Sequence, residues 1–279
     1  MATRALGYLE GLLIRLAMKL SELSPLFKRF LWRRWYEHLA GYQLTDWRFM
    51  NYGYSSLDPN EPPLSLQPPD EPNRFSIQLY HHVASAVPLE GRDVLEVGCG
   101  RGGGASFVKR HFRPRQMTGV DFSAKAVRFC QENQRLEGLS FVRGDAEALP
   151  FADDSFDAVL NVESSHCYGS MPAFLIQVKR VLRPGGHFLF ADLRTAADLP
   201  RLHQNIVDSG MTLLSQQKIT AHVIEALRQD SERKLALIES NVNKRLLSAF
   251  REFAAIEGSD IYRSFRDGSA VYVQYLLQK

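Results

Sequence analysis

Three acidic side chains close short apolar runs: Glu96 in Val94-Leu95-Glu96-Val97, Asp121 in Gly119-Val120-Asp121, and Asp145 in Gly144-Asp145-Ala146-Glu147. A glycine-rich turn from Gly98 to Gly104 follows the first of them. Glycines let a ligand come close to the backbone. A helix starting behind the turn offers free N–H groups and the positive end of its dipole. Asp121 lies about 20 residues past the turn, where an acid accepts hydrogen bonds from the two hydroxyls of a ribose. Asp145 can accept from an adenine amino group. Glu96 argues against a pyrophosphate, which needs a helix start clear of negative charge. It suits a cationic head such as a sulfonium with an α-amino group.

Residues of this kind must be gathered at one end of a sheet. The expected strands are 92–97, 116–121, 140–143, 156–162 and 187–192, and the expected helices between them are 104–111, 123–135 and 171–182. This alternation predicts an α/β fold with a parallel sheet covered on both faces. Ligands then bind outside the carboxyl ends of the strands. Residues 211–219 read as a further strand, 220–256 as helical, and 270–277 as a final edge strand after the Asp267-Gly268 turn.

Upstream, leucines at helical spacing predict an amphipathic helix over 4–22. A second helix, over about 25–40, carries Phe27, Phe30, Trp32, Trp35 and Tyr36 among basic residues. Residues 1–40 hold seven basic and three acidic side chains. Two readings stay open for them: a helical cap on the catalytic domain, or a pair of interfacial helices in peripheral contact with the inner membrane face. Residues 41–75 are rich in proline and aromatics and predict an active-site lid, followed by a helix over 74–87. The domain division is then 1–40, a lid and linking helix over 41–85, and a catalytic domain over 86–279 with a helical insertion at about 220–260.

A net charge of +3 in 279 residues is too small to argue for nucleic acid. Cys99, Cys130 and Cys167 lack metal-ligand spacing and fit a reducing cytoplasm. No uninterrupted apolar run reaches membrane-spanning length, and the start of the chain does not read as a secretory signal.

Val94–Gly100, Gly119-Val120-Asp121-Phe122-Ser123, Gly144-Asp145-Ala146-Glu147 and Leu182-Arg183-Pro184-Gly185-Gly186 resemble, in order and spacing, the motifs of class I S-adenosylmethionine-dependent methyltransferases. That resemblance implies a Rossmann-like, seven-stranded, mostly parallel sheet with an antiparallel last strand. More of the chain resembles the phthiotriol/phenolphthiotriol dimycocerosate methyltransferases, through Asp70-Glu71-Pro72-Asn73-Arg74, Leu79-Tyr80-His81, Gly102-Gly103-Gly104-Ala105-Ser106, Val159–Tyr168 and Ala191-Asp192-Leu193-Arg194. It implies O-methylation of a hydroxyl or enol on a lipophilic polyketide or lipid. S-adenosyl-L-methionine would be the cofactor and S-adenosyl-L-homocysteine the product. The implied cofactor contacts are Glu96, Gly98, Cys99, Gly100, Asp121, Phe122, Asp145, Ala146 and Asn161, with Tyr52 and Tyr54 closing over them from the lid.

Methyl transfer from a sulfonium is in-line displacement and depends on positioning. An alcohol must also lose its proton, and histidine suits a general base near neutral pH. His166, just past the fourth strand, is the first candidate and His81 the second. Tyr168, Glu163 and Asp192 are expected to orient the base or the acceptor. C-methylation of a prenyl- or sterol-like lipid, or a cofactor-binding catalyst or scaffold without methyl transfer, are the alternatives. No base-flipping motif follows the fourth strand and no carboxylate cluster suggests a metal. The oligomeric state is left open.

Overall fold

Successive residues of the inner strands are nearly all apolar, and the folded chain buries both sets. The computed structural model describes Arg34, Glu37 and residues 47–279. The two helices expected within residues 4–40 lie, but for Arg34 and Glu37, outside the described residues. The strands are β1 (Asp93–Val97), β2 (Gln116–Asp121), β3 (Leu139–Arg143), β4 (Phe156–Val162), β5 (Leu182–Thr195), β6 (Thr212–Lys218) and β7 (Ala270–Gln278). They form one sheet in the order β3-β2-β1-β4-β5-β7-β6. Only β7 runs antiparallel, against both β5 and β6.

The helices are α1 (Arg74–Ala84), α2 (Gly103–Phe112), α3 (Ala124–Asn133), α4 (Met171–Val181), α5 (Leu199–Asp208), α6 (Thr220–Asn241), α7 (Leu247–Phe253) and α8 (Asp260–Asp267). Strand side chains alternate between two cores, as the two-residue period requires. Val94, Met117, Ala158, Leu189 and Tyr272 meet Ile77 of α1, Val108 of α2, Val127 of α3, Val223 of α6 and Phe265 of α8. Leu95, Val120, Val159, Phe188 and Val273 meet Phe174 of α4 and Leu202 of α5. Ser123, Ser170 and Ser259 start α3, α4 and α8 by accepting the N–H of the residue three places on.

The last strand departs from its expected place. β7 is buried along most of its length between β5 and β6, while every residue of β6 is exposed. Apolar residues on both faces of 270–277 mark an inner strand, and β6 is the edge. The expected long helix over 220–256 also breaks after Asn241. Val242 is extended, and the Asn243 side chain accepts the Arg245 N–H at 3.0 Å, a local turn that competes with the helix. Helix α5 was not anticipated, although Pro200 in its first turn is a start signal.

Candidate active site

The carboxyl ends of β1, β2, β3 and β4 surround an open cavity of about 1100 Å³, its solvent-facing mouth included. Gly98, Cys99, Gly100, Asp121, Phe122, Asp145, Ala146 and Tyr168 line it, as do Met50, Asn51, Glu163 and Cys167. Nine of the residues anticipated from sequence, Glu163 among them, are therefore brought together. Asp121 Oδ2 accepts the Gly100 N–H at 2.9 Å and Oδ1 accepts the Ser123 N–H at 2.8 Å. A carboxylate has about four lone-pair sites, so acceptor capacity remains for a ligand. Burial pushes the Asp121 pKa up to about 6, against the opposing pull of these N–H groups. Asp145 Oδ1 accepts the Glu147 N–H at 3.0 Å, which shapes the turn after β3.

Seven anticipated residues, Tyr54 and Asp192 among them, are not part of this wall. Glu96 points to the α1 side of the sheet, is fully buried, and accepts the Tyr80 hydroxyl at 2.6 Å. Its other oxygen is buried without a partner. Burial, with Asp121 nearby, pushes its pKa up to about 8, so it is mostly neutral at pH 7 and is not the expected carboxylate for a cationic head. Asn161 is fully buried behind the glycine turn, its Nδ2 donating to the Val97 carbonyl at 2.9 Å and lying 2.7 Å from Ser164 Oγ. It braces the turn from beneath. Tyr168 lines the cavity, and its hydroxyl bonds to Ser164 Oγ at 2.9 Å; burial raises its pKa far above the ordinary value.

His81 lies on α1 with its ring 5.1 Å from that of His111 and 5.6 Å from that of Phe112. Helix α1 turns Tyr80 to the cavity and sends the next residue away, which removes His81 from the site. Tyr52 likewise packs edge-on against Phe265 and lines a second cavity instead. Tyr54 stacks between His82 and His222 at 4.2 and 4.5 Å, outside both cavity walls.

His166 stands beside the cavity rather than in its wall. Its Nδ1 is 2.8 Å from Asp192 Oδ1, and its backbone N–H donates to Asp192 Oδ2 at 2.9 Å. Asp192 also takes the Ser165 hydroxyl at 2.6 Å and pairs with Arg194 Nη1 at 3.0 Å. Burial acts to lower the histidine pKa, but the Cys167 sulfur and the Asp192 carboxylate outweigh it and push it up to about 10. The Asp192 partner favours the protonated ring, which has no lone pair to accept a proton. Despite burial, Arg194 and His166 hold Asp192 well below the usual carboxylate range. The histidine's contribution to stability is full below its ordinary 6.5 and is lost as pH rises through about 10. The aspartate's contribution is full above its ordinary 3.8 and is lost as pH falls through its depressed value. Urea denaturation should therefore show wild-type stability declining between pH 7 and 10, and His166→Gln should flatten that decline.

Glu163, expected to orient the base or the acceptor, lines the cavity. It follows β4 with φ of +50°, a left-handed conformation that costs a non-glycine residue about 1–3 kcal/mol. Its Oε2 accepts the Tyr52 N–H at 2.8 Å and the Tyr272 hydroxyl at 2.9 Å. Asn51 was missed. It is buried, lines both cavities, and its Oδ1 has no partner. No local spacing could have found it, because a segment without regular structure, 47–53, is laid across the glycine turn by the Gly103 N–H to Arg48 carbonyl bond at 3.3 Å and by Arg101 Nε donating to the Trp47 carbonyl. Gly104 keeps this region close-packed, since a Cβ there would stand 2.0 Å from the Tyr80 ring.

The second cavity, about 690 Å³ with its mouth, lies between residues 47–52 and helices α6 and α7. Its walls are mostly apolar: Trp47, Phe49, Met50, Tyr52, Leu237, Ile238, Val242, Phe250 and Phe253, with Arg233 and Lys234 among them. Phe49, Met50 and Asn51 belong to both cavities and form the partition between them. Among the described residues no helix is long and apolar enough to cross a membrane.

Residues 95–190 match the family described as "Methyltransferase domain". The chain is 40% identical over 257 residues to a phthiotriol/phenolphthiotriol dimycocerosates methyltransferase of Mycobacterium leprae, covering 92% of this chain and 94% of that protein. It is 43% identical over 233 residues to a fatty-acid O-methyltransferase of Mycolicibacterium smegmatis, covering 83% of each. Among solved structures, a geranyl diphosphate C-methyltransferase of Streptomyces coelicolor in complex with S-adenosyl-L-homocysteine has a TM-score of 0.63 at 15% identity, over 88% of this chain and 97% of that one. At that identity the likeness shows the fold. Fold, strand-end acids and sequence identity converge: the chain belongs to the class I S-adenosylmethionine-dependent methyltransferases, in the family of the phthiotriol/phenolphthiotriol dimycocerosates methyltransferases.

Proposed function

We propose that this methyltransferase O-methylates a hydroxyl group on a long-chain lipid or lipophilic polyketide. The observation that carries the reading is the apolar cavity sharing one wall with the cavity of the strand-end acids. A lipid chain fits such a space, since apolar binding sites gain affinity from removing chain surface from water. The named activities of the relatives, on phthiotriol-type lipids and on fatty acids, support the same acceptor class.

The first cavity suits S-adenosylmethionine. Asp121 retains lone pairs for the ribose hydroxyls, Asp145 and Ala146 flank the adenine end, and the buried, unpartnered Asn51 Oδ1 can accept from an α-amino group. When bound, this cofactor supplies an activated methyl group. The protein's own part is to hold the acceptor oxygen in line with it, to exclude water, and to provide for the hydroxyl proton.

The test uses methyl-labelled cofactor with a long-chain diol, a long-chain fatty acid and geranyl diphosphate as separate acceptors. Label in an alkali-stable methyl ether of the diol is the expected result. Label found only in a methyl ester or on carbon, or in no product, overturns the reading. Shortening the diol's chain should raise KM progressively with smaller change in kcat, because chain burial is uniform binding.

A further inference from the structure

We propose that Glu163 takes the acceptor's hydroxyl proton during methyl transfer, held for that task by the Tyr52 N–H and the Tyr272 hydroxyl. This rests on the reading above, that the acceptor is an alcohol. The acceptor oxygen–carbon bond forms as the carbon–sulfur bond of the cofactor breaks. Sulfur keeps the electron pair of that bond, and the hydroxyl proton passes to the carboxylate.

Placement favours Glu163 over both histidines. It lines the cofactor cavity, and Tyr52, whose N–H it accepts, lines the apolar one, so its carboxylate stands where the two spaces meet. Both protein hydrogen bonds go to Oε2 and fix the group. Oε1 takes no part in them and is left for a ligand. The left-handed backbone is the second observation. Strain in a β4-end residue persists only where the surroundings enforce it, and such strain clusters at working sites. Here the enforcing contacts come from the 47–53 segment, β7, and the bond from the Glu163 N–H to the Ala191 carbonyl at 2.8 Å.

The charged surroundings agree. Burial raises the Glu163 pKa, while the Tyr52 N–H, the His166 imidazolium and the Tyr272 hydroxyl pull it down. The balance, with Asp192 adding repulsion, is about 7. Lys234 on α6 and Tyr80 on α1 are in electrostatic contact with Glu163, and Cys167, Cys99, Asp121, Asp145, Glu147, Tyr168, Glu37, Arg48 and Arg101 line the same cavity, with Arg233 in the second one. Lys234 Nζ lies 3.3 Å from the Tyr52 carbonyl and 3.6 Å from Asp230, and its pKa is lowered by burial. A carboxylate poised near neutrality can both receive a proton and release it to solvent between turnovers. His166, tied to Asp192, serves instead to position the β4 end and to favour the ionised form of Glu163.

The experiment measures kcat/KM against pH with the long-chain diol for wild type, Glu163→Gln, His166→Gln and Tyr272→Phe, with S-adenosylhomocysteine affinity by calorimetry alongside. Wild type is expected to show a rising limb centred near pH 7. Glu163→Gln should lose about 10²–10⁴-fold in rate and lose the limb, with nearly unchanged affinity for S-adenosylhomocysteine. Tyr272→Phe removes a bond that lowers the Glu163 pKa, so its limb should move to higher pH. The proposal is overturned if Glu163→Gln keeps its rate within a few-fold, or if the limb survives there and disappears in His166→Gln. If Glu163→Gln fails to bind S-adenosylhomocysteine, the Tyr272→Phe limb decides, and an unshifted limb overturns the proposal. A wild type that methylates no alcohol overturns the alcohol reading and this one together, whereas failure confined to the variants leaves the alcohol reading standing.

Discussion

Replacing Asp121 with alanine is expected to weaken S-adenosylhomocysteine binding by about 10²–10⁴-fold. Two hydrogen bonds from ribose hydroxyls to a carboxylate are worth roughly 1.5–3 kcal/mol each, and ten-fold in affinity is about 1.4 kcal/mol. Part of the loss is structural. Asp121 accepts the N–H groups of Gly100 and Ser123, and without it the glycine turn loses one of its restraints. Asp121→Asn keeps an acceptor oxygen and should fall between wild type and alanine. Since the Asp121 pKa is pushed up to about 6, wild-type affinity should fall as pH drops below that value. Calorimetric titration between pH 5 and 8 should show this slope in wild type and a flatter one in Asp121→Ala. Equal affinities at pH 7.5 would remove Asp121 from the ribose site.

Gly98→Ala should destabilise the protein by about 2–5 kcal/mol and abolish detectable binding. At φ of +75° an L side chain costs about 1–2 kcal/mol. A Cβ there would also stand 2.3 Å from Ser164 Oγ and 2.6 Å from Ser164 Cβ, and relief of such overpacking typically costs about 1–3 kcal/mol more. Ser164 cannot yield cheaply, because its hydroxyl is shared among Asn161, Tyr168 and the Val97 carbonyl. Gly91→Ala is the control. Gly91 has φ of +72° with nothing within 4 Å of a Cβ, so it should pay the conformational part alone. A thermal melt in which both variants fall equally would show that the Ser164 contact is not the cause.

The sheet was largely legible because each inner strand is a short apolar run ended by glycine, an acid or a turn, and these signals are local. The glycine turn with Asp121 and Asp145 was legible for the same reason: each residue's place follows from its offset to a strand end. The misreadings share a different origin. Glu96 was read as a ligand contact because a carboxylate suits a cationic head, and Asn161 because it sits in a matching motif, yet strand alternation turns Glu96 toward Tyr80 and packing buries Asn161 under the turn. Residues 270–277 were assigned to an edge, although strand order depends on which neighbour covers which face.

The sequence by itself determined the glycine turn and the placing of Asp121 and Asp145 at the strand ends, since a strand, a tight turn and an acid at a set distance are fixed by short-range geometry. Only the tertiary structure decided what surrounds His166 and Glu163. β5 brings Asp192 against the His166 ring and Arg194 against Asp192, and the carboxylate favours the protonated ring. Tyr52 and Tyr272, more than a hundred residues away in opposite directions, close on one oxygen of Glu163. A side chain's protonation depends on burial and on charges within a few ångströms, and those neighbours come from distant parts of the chain.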